Sequence, residues 1–261
     1  MSDNNSFERF EQLGRERFHK VRTDEFQATM EKSQKECTDL IKMNEFVFAI
    51  GCILIAFRKV PTFFNKDRYI PERYSQSLVF TYLIESARNS ACIVYLSGCG
   101  LYKNAYLNIR YALESIIQAS YIDSSYPDFD FPTKVEVLEM KEDLRRYRAT
   151  QLVKRLHIDY KEQTIEAVRN EYKKLSRKLH SSHYQFMATS KNFMYQRYKA
   201  VYMDCDEVTS IYNSMKVLHD VSFFLLIAHF PEIRKPLVEN TKFVETVKSH
   251  NLILSSRILG I

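Results

Sequence analysis

Residues 173–186 read KKLSRKLHSSHYQF and hold two of the chain's seven histidines. Ser176, Arg177, His180 and His183 are the side chains here whose types and spacing suit chemistry. An imidazole titrates near neutral pH and serves as general acid or base. A nearby guanidinium stabilises charge that develops during a reaction. Hydroxyl-nucleophile chemistry fits less well, because Ser176 lacks a nucleophile elbow and a glycine-rich oxyanion turn. His180 and His183 lack the HExxH or paired Glu-x-x-His spacing of a metal site. The GCG at 98–100 is not followed by the residues of a phosphate-cradling loop. No metal and no cofactor is therefore expected.

These residues must be positioned by a helix. At about 100° per residue, Val168, Tyr172, Leu175, Leu179 and Phe186 make one apolar face. Arg169, Ser176 and His180 lie on its flank, with His183 between them and that face if the helix continues. Arg177 falls on the opposite, solvated side with Lys173 and Lys174. A histidine at a helix C-terminal end is also favoured by the helix dipole, so His180 has a structural reading beside the catalytic one. Ser181 and Ser182 can end this helix, which would bring Arg177 and His183 into one site.

Two further charge patterns stand out. In KEDLRRYRATQLVKR, residues 141–155, one side of a helix carries Lys141, Arg145, Arg148 and Arg155. It reads as a solvated face or as a stripe for RNA phosphates. In residues 101–123, Ala105, Ile109, Ala112, Ile116 and Ala119 form one stripe, and Tyr106, Leu113 and Ile117 a second. A helix apolar on two sides is largely buried. Arg110 lies among these residues, with Glu114 four positions on, where the two can pair. Arg110, Glu114 and Arg169 are structural or orient a site.

Only five glycines and six prolines punctuate the 261 residues, and the stretches between favour helix. The spacing predicts helices over roughly 6–20, 24–58, 74–97, 101–123, 134–157, 161–180, 206–230 and 237–249. The fold class is all-α: an antiparallel helical bundle over 71–235, an appended N-terminal helical arm over 1–70, and a C-terminal helix and tail over 236–261. The apolar fraction of 45% permits a sizeable core, and the net charge of +6 tolerates an acidic partner without demanding one. The five cysteines show no disulfide framework and read as reduced thiols. The polar start MSDNNSFERFEQ predicts no signal peptide, and a cytoplasmic protein is expected. The apolar run Phe46–Phe57 is shorter than the about 20 residues of a spanning helix, so it reads as a core helix rather than a membrane anchor.

The stretch GLYKNAYLNIRYALE resembles the helix pair of the HEPN-like all-helical superfamily. Gly100, Tyr102, Ala105, Arg110, Leu113 and Glu114 fill that pattern. Downstream, YKKLSRKLH is similar to a Y-x-x-L-S-x-x-x-H segment of a prokaryotic branch of the superfamily. The resemblance covers about 75–235 and implies a metal-independent endoribonuclease or RNA-binding protein of a defence or toxin system, working as a homodimer. Active members carry Arg, four to six residues, then His; Arg177 and His183 meet that spacing, and His180 fits the branch motif. The implied chemistry is attack of a 2′-hydroxyl on the adjacent phosphate. His180 or His183 would act as acid or base, and Arg177 or Arg169 would stabilise the phosphorane. Other members are inactive, which leaves a non-catalytic helical interaction module as the alternative.

Overall fold

The computed structural model describes residues 31, 38–59, 72–140, 144, 148–180 and 205–261. Among them every regular element is helical. In chain order these are α1 (Thr38–Lys59), α2 (Glu72–Ser75), α3 (Leu78–Gly98), α4 (Tyr102–Ser125), α5 (Phe131–Met140), α6 (Ala149–Arg155), α7 (Lys161–His180), α8 (Cys205–His229), a 3-10 turn (Pro231–Ile233), α9 (Arg234–Val238), α10 (Thr241–Ser249) and α11 (Ile253–Leu259).

The core is built around α8. Its residues Val221 to Ile227 are buried without interruption, so it needs neighbours on every side. They are α1, α3, α4, α7 and α11. The two apolar stripes of α4 both find partners: Ala105, Ile109, Ala112, Ile116 and Ala119 are buried, and so are Tyr106, Leu113 and Ile117.

The hairpin of α3 and α4 follows from local chemistry. Ser77 caps α3, its hydroxyl accepting from the Phe80 N–H at 3.1 Å. At the other end Gly100 takes φ 71°, a left-handed conformation that glycine adopts without steric cost. The Gly100 N–H donates to Ser97 O and the Leu101 N–H to Leu96 O, closing a Schellman motif that stops α3 and lets α4 start at once. The end of α4 is tied back to the start of α3. The Asp123 carboxylate accepts from the Ser77 hydroxyl (2.7 Å) and from the Leu78 and Val79 N–H groups (3.2 and 2.9 Å). Lys134 of α5 closes this junction with an ion pair to Asp123.

Four expectations change. The helix expected over 134–157 is not continuous. Arg148 has an extended backbone (φ −62°, ψ 146°). Its N–H donates to Gln151 Oε1 at 3.0 Å instead of continuing a helix, which starts α6 afresh. No helix face therefore runs through Arg148 to Arg155. The helix expected over 237–249 is also two, because Asn240 caps α10 by accepting from the Phe243 N–H. The region beyond 249 is not a tail: α11 packs on α8, with Leu254 and Leu259 in the core.

Finally, α1 is not an arm over residues 38–59. Met43, Phe46, Ile50 and Ile53 lie in the same core as α8, and α1 packs on α3, α8, α9 and α10. Among the described residues α1 is the one helix long and apolar enough to cross a membrane, and half of that window is buried inside the molecule.

Candidate functional site: a basic cleft between three helices

A cleft of about 690 Å³ opens where α4, α6 and α7 converge. Each helix turns one face to it. From α4 come Arg110, Glu114 and Gln118, four residues apart and so one above another on the helix. From α7 come Arg169, Tyr172, Lys173 and Ser176, spaced i, i+3, i+4, i+7. The start of α6 contributes Arg148, Ala149, Thr150 and Leu152. The floor is apolar, since Leu144, Ala149 and Leu152 are buried. Among the described residues the rim carries four cations, Arg110, Arg148, Arg169 and Lys173, and one carboxylate, Glu114.

The four cations are not equivalent. Arg110 is held in place: its Nε donates to Glu114 Oε1 at 3.0 Å, and its guanidinium lies over the Tyr172 ring, 4.9 Å from the centroid. The pair is neither buried nor fully solvated, with 28% of the Arg110 and 33% of the Glu114 side chain exposed. Arg148, Arg169 and Lys173 are exposed, and among the described residues none of the three has an ion-pair partner. Three such cations facing one concavity on an apolar floor form a focused positive field suited to an anion.

The cleft gathers Ser176, Arg148, Arg110, Glu114 and Arg169, which the sequence scattered over three separate patterns. His180 stands at the end of α7, exposed and outside the lining, on the helix line that passes through Arg169, Lys173 and Ser176. Arg177 is exposed and points about 100° away from Ser176. Arg155 is exposed in the last turn of α6, away from the lining. His183, Lys141 and Arg145 lie outside the described residues.

No family model matches the chain, and the searches of curated proteins and of solved structures give no match either.

Two lysines behave otherwise than the helical wheel suggests. Lys173 belongs to the cleft. Lys174 is half-buried on the seam between α7 and α8, where its Nζ donates to Ser210 O at 2.9 Å. Burial pulls the Lys174 ammonium down from its ordinary value, partly opposed by Glu171. Beside it, burial pushes the Glu171 carboxyl up, against the hydrogen bond from Ser214 and the charge of Lys174. One Glu171 oxygen has no hydrogen-bond partner. Further along, Lys178 pairs with Glu207 at 2.6 Å, and the Tyr106 hydroxyl donates to the other Glu207 oxygen at 2.7 Å. Lys178, next to Arg177 in the sequence, thus ties α7 to α8.

Of the polar cleft residues, the sequence placed Lys173 on a solvated face and Tyr172 on the core face, and did not mark Gln118 or Thr150. Lys173 was findable, being four residues after Arg169 and three before Ser176. Gln118 and Thr150 carry no such signal. Among the described residues no three His, Cys, Asp or Glu side chains form a group that could hold a metal.

Proposed function

We propose that the protein binds single-stranded RNA, with the cleft between α4, α6 and α7 gripping the phosphodiester backbone. The observation that carries this reading is the convergence of Arg110, Arg148, Arg169 and Lys173 on one concavity, where Glu114 is the one carboxylate among the described residues. Of these, Arg148, Arg169 and Lys173 have no ion-pair partner among the described residues, so phosphate oxygens can replace water on them, with release of condensed counterions. The reading agrees with the HEPN-like resemblance of residues 100–122 and 172–180, and the homodimer implied by that resemblance belongs to it.

A second, narrower reading is cleavage of the bound strand. It is favoured by His180, which continues the line of Arg169, Lys173 and Ser176 past the rim. A phosphate held by Lys173 would lie seven residues, about two helical turns, from the imidazole, so the strand would have to run on along α7 past Ser176 to reach it. The 2′-oxygen would attack phosphorus as its proton passes to a base. The P–O5′ bond would break as its oxygen gains a proton, leaving a 2′,3′-cyclic phosphate. The non-catalytic interaction module keeps the cleft and lacks this chemistry.

The test is fluorescence anisotropy with a labelled mixed-sequence RNA at low salt. Wild type is expected to bind, and the R148A/R169A double variant to bind at least tenfold more weakly at unchanged circular dichroism. Wild-type protein that leaves the anisotropy unchanged at low salt would end the RNA reading.

A further inference from the structure

Cations alone make a surface for any polyanion, and a duplex, a heparin chain and a single strand would all satisfy them. The cleft has two features that charge does not explain. The first is a stack. The Arg110 guanidinium covers the Tyr172 ring at 4.9 Å, and Glu114 fixes it there at 3.0 Å. The Arg110 side chain lines the cleft and is 28% exposed, so a ligand in the cleft can reach the Arg110–Tyr172 pair. Guanidinium planes and aromatic rings are the surfaces on which unpaired bases stack. The second is the apolar floor under the rim, formed by Leu144, Ala149 and Leu152. Phosphate has no use for a floor of that kind, and a base does.

We infer that the cleft admits one unpaired nucleotide, its base stacked on the Arg110–Tyr172 pair and its flanking phosphates on Arg148, Arg169 and Lys173. The inference rests on the RNA reading and sharpens it. The volume of about 690 Å³ lies within the roughly 300–1,000 Å³ of small-ligand sites, so the half-open cleft has room for a single nucleotide. A duplex, whose bases are already stacked and paired, offers only its backbone ridges and cannot reach the floor. The Glu114 carboxylate also becomes intelligible. In a site for phosphates alone an acid is a liability, whereas here it holds the guanidinium plane in stacking position.

The experiment uses the full chain and four ligands: a single-stranded RNA with one 2-aminopurine, its fully paired duplex, inorganic polyphosphate, and a free nucleoside monophosphate. The expected result is quenching of the 2-aminopurine on binding, and at least tenfold preference for the single strand over the duplex. The key variant is Arg110→Lys, which keeps the charge and the partner Glu114 but removes the plane. It should weaken single-strand binding by about tenfold. It should also abolish the quench and leave polyphosphate affinity within twofold. Tyr172→Phe, which keeps the ring, should retain both quench and affinity.

Binding that R148A/R169A weakens, but without quench and without any effect of Arg110→Lys, overturns the stacked nucleotide and leaves the RNA reading standing. Absence of all RNA binding overturns both. A free nucleoside monophosphate that binds as tightly as the oligonucleotide keeps the stacked base and overturns the RNA reading.

Discussion

The Asp123 carboxylate and the Lys134 ammonium meet at 3.0 Å with only 6% and 4% of their side chains exposed. Around them the ends of three helices converge. Asp123 also accepts from Ser77, Leu78 and Val79, and Lys134 also donates to Gln76 O. With its donors and acceptors so well matched, the pair offsets the cost of taking both charges out of water. Removing one partner strands the other. Lys134→Met is expected to destabilise the protein by about 3–5 kcal/mol, read as a lower urea midpoint at unchanged slope. The Asp123→Asn/Lys134→Met double variant should regain part of that loss. A midpoint for Lys134→Met equal to wild type would show that the junction does not depend on the pair.

Stability should also fall on mild acidification. His219 is buried in α8, stacked on Phe46 and Phe223, with Nε2 3.0 Å from the Ser90 hydroxyl and Nδ1 without a partner. Burial, aided by the charge of His250, pushes its pKa down to about 3. The unfolded chain therefore takes up a proton near pH 6.5 that the folded chain refuses until about pH 3. The His219 contribution is complete above pH 6.5 and is lost as pH falls through that window, at about 1.4 kcal/mol per pH unit. Burial lowers His229 and His250 in the same sense. Glu171 and Asp220, both raised by burial, act oppositely, their contribution being lost as pH rises from the ordinary carboxylate range. Urea titrations at pH 7 and 5.5 should show wild type weaker at 5.5. The H219F/S90A variant, which removes the imidazole and the hydroxyl together, should show a shallower dependence.

For cleavage, His180 is the side chain to change. If the protein cuts the strand it binds, His180→Ala should lower the rate in EDTA by about 10²–10⁴-fold with RNA affinity unchanged. Arg169→Ala should lower both. An active wild type whose His180→Ala variant cuts at the same rate would move the chemistry elsewhere in the chain.

The last helix depends on a carboxylate from another one. Asp220 of α8 accepts from the Leu254 and Ser255 N–H groups at 3.0 and 2.8 Å and from the Ser255 hydroxyl at 2.7 Å. It thus serves as the N-cap of α11 from 34 residues away. Asp220→Ala should cost about 1–2 kcal/mol, the range of a lost cap. In hydrogen exchange the loss of protection should be concentrated in Ile253–Leu259. Uniform loss across α8 and α11 would argue that the two unfold as one unit.

The α4 helix was legible in the sequence because its apolar side chains recur at helical spacing, and α8 because the stretch between the glycine and proline clusters favours helix. The α3–α4 turn was legible because Gly100 is one of only five glycines. Such signals are local, and a local signal survives without knowledge of the partner. The break at Arg148, the cap on α11 and the integration of α1 depend on groups distant in sequence or on competition between local bonds, so periodicity missed them. The site shows the same division. Arg110, Glu114, Arg148, Arg169 and Ser176 were each marked by type and spacing, but nothing in the sequence said that they share one cleft. A wheel orders residues around one axis and cannot say which side a neighbour covers. For that reason Lys173 and Lys174, adjacent and alike in the sequence, part company in the fold. One lines the cleft, and the other is half-buried against α8, because the packing of neighbouring helices decides what water reaches.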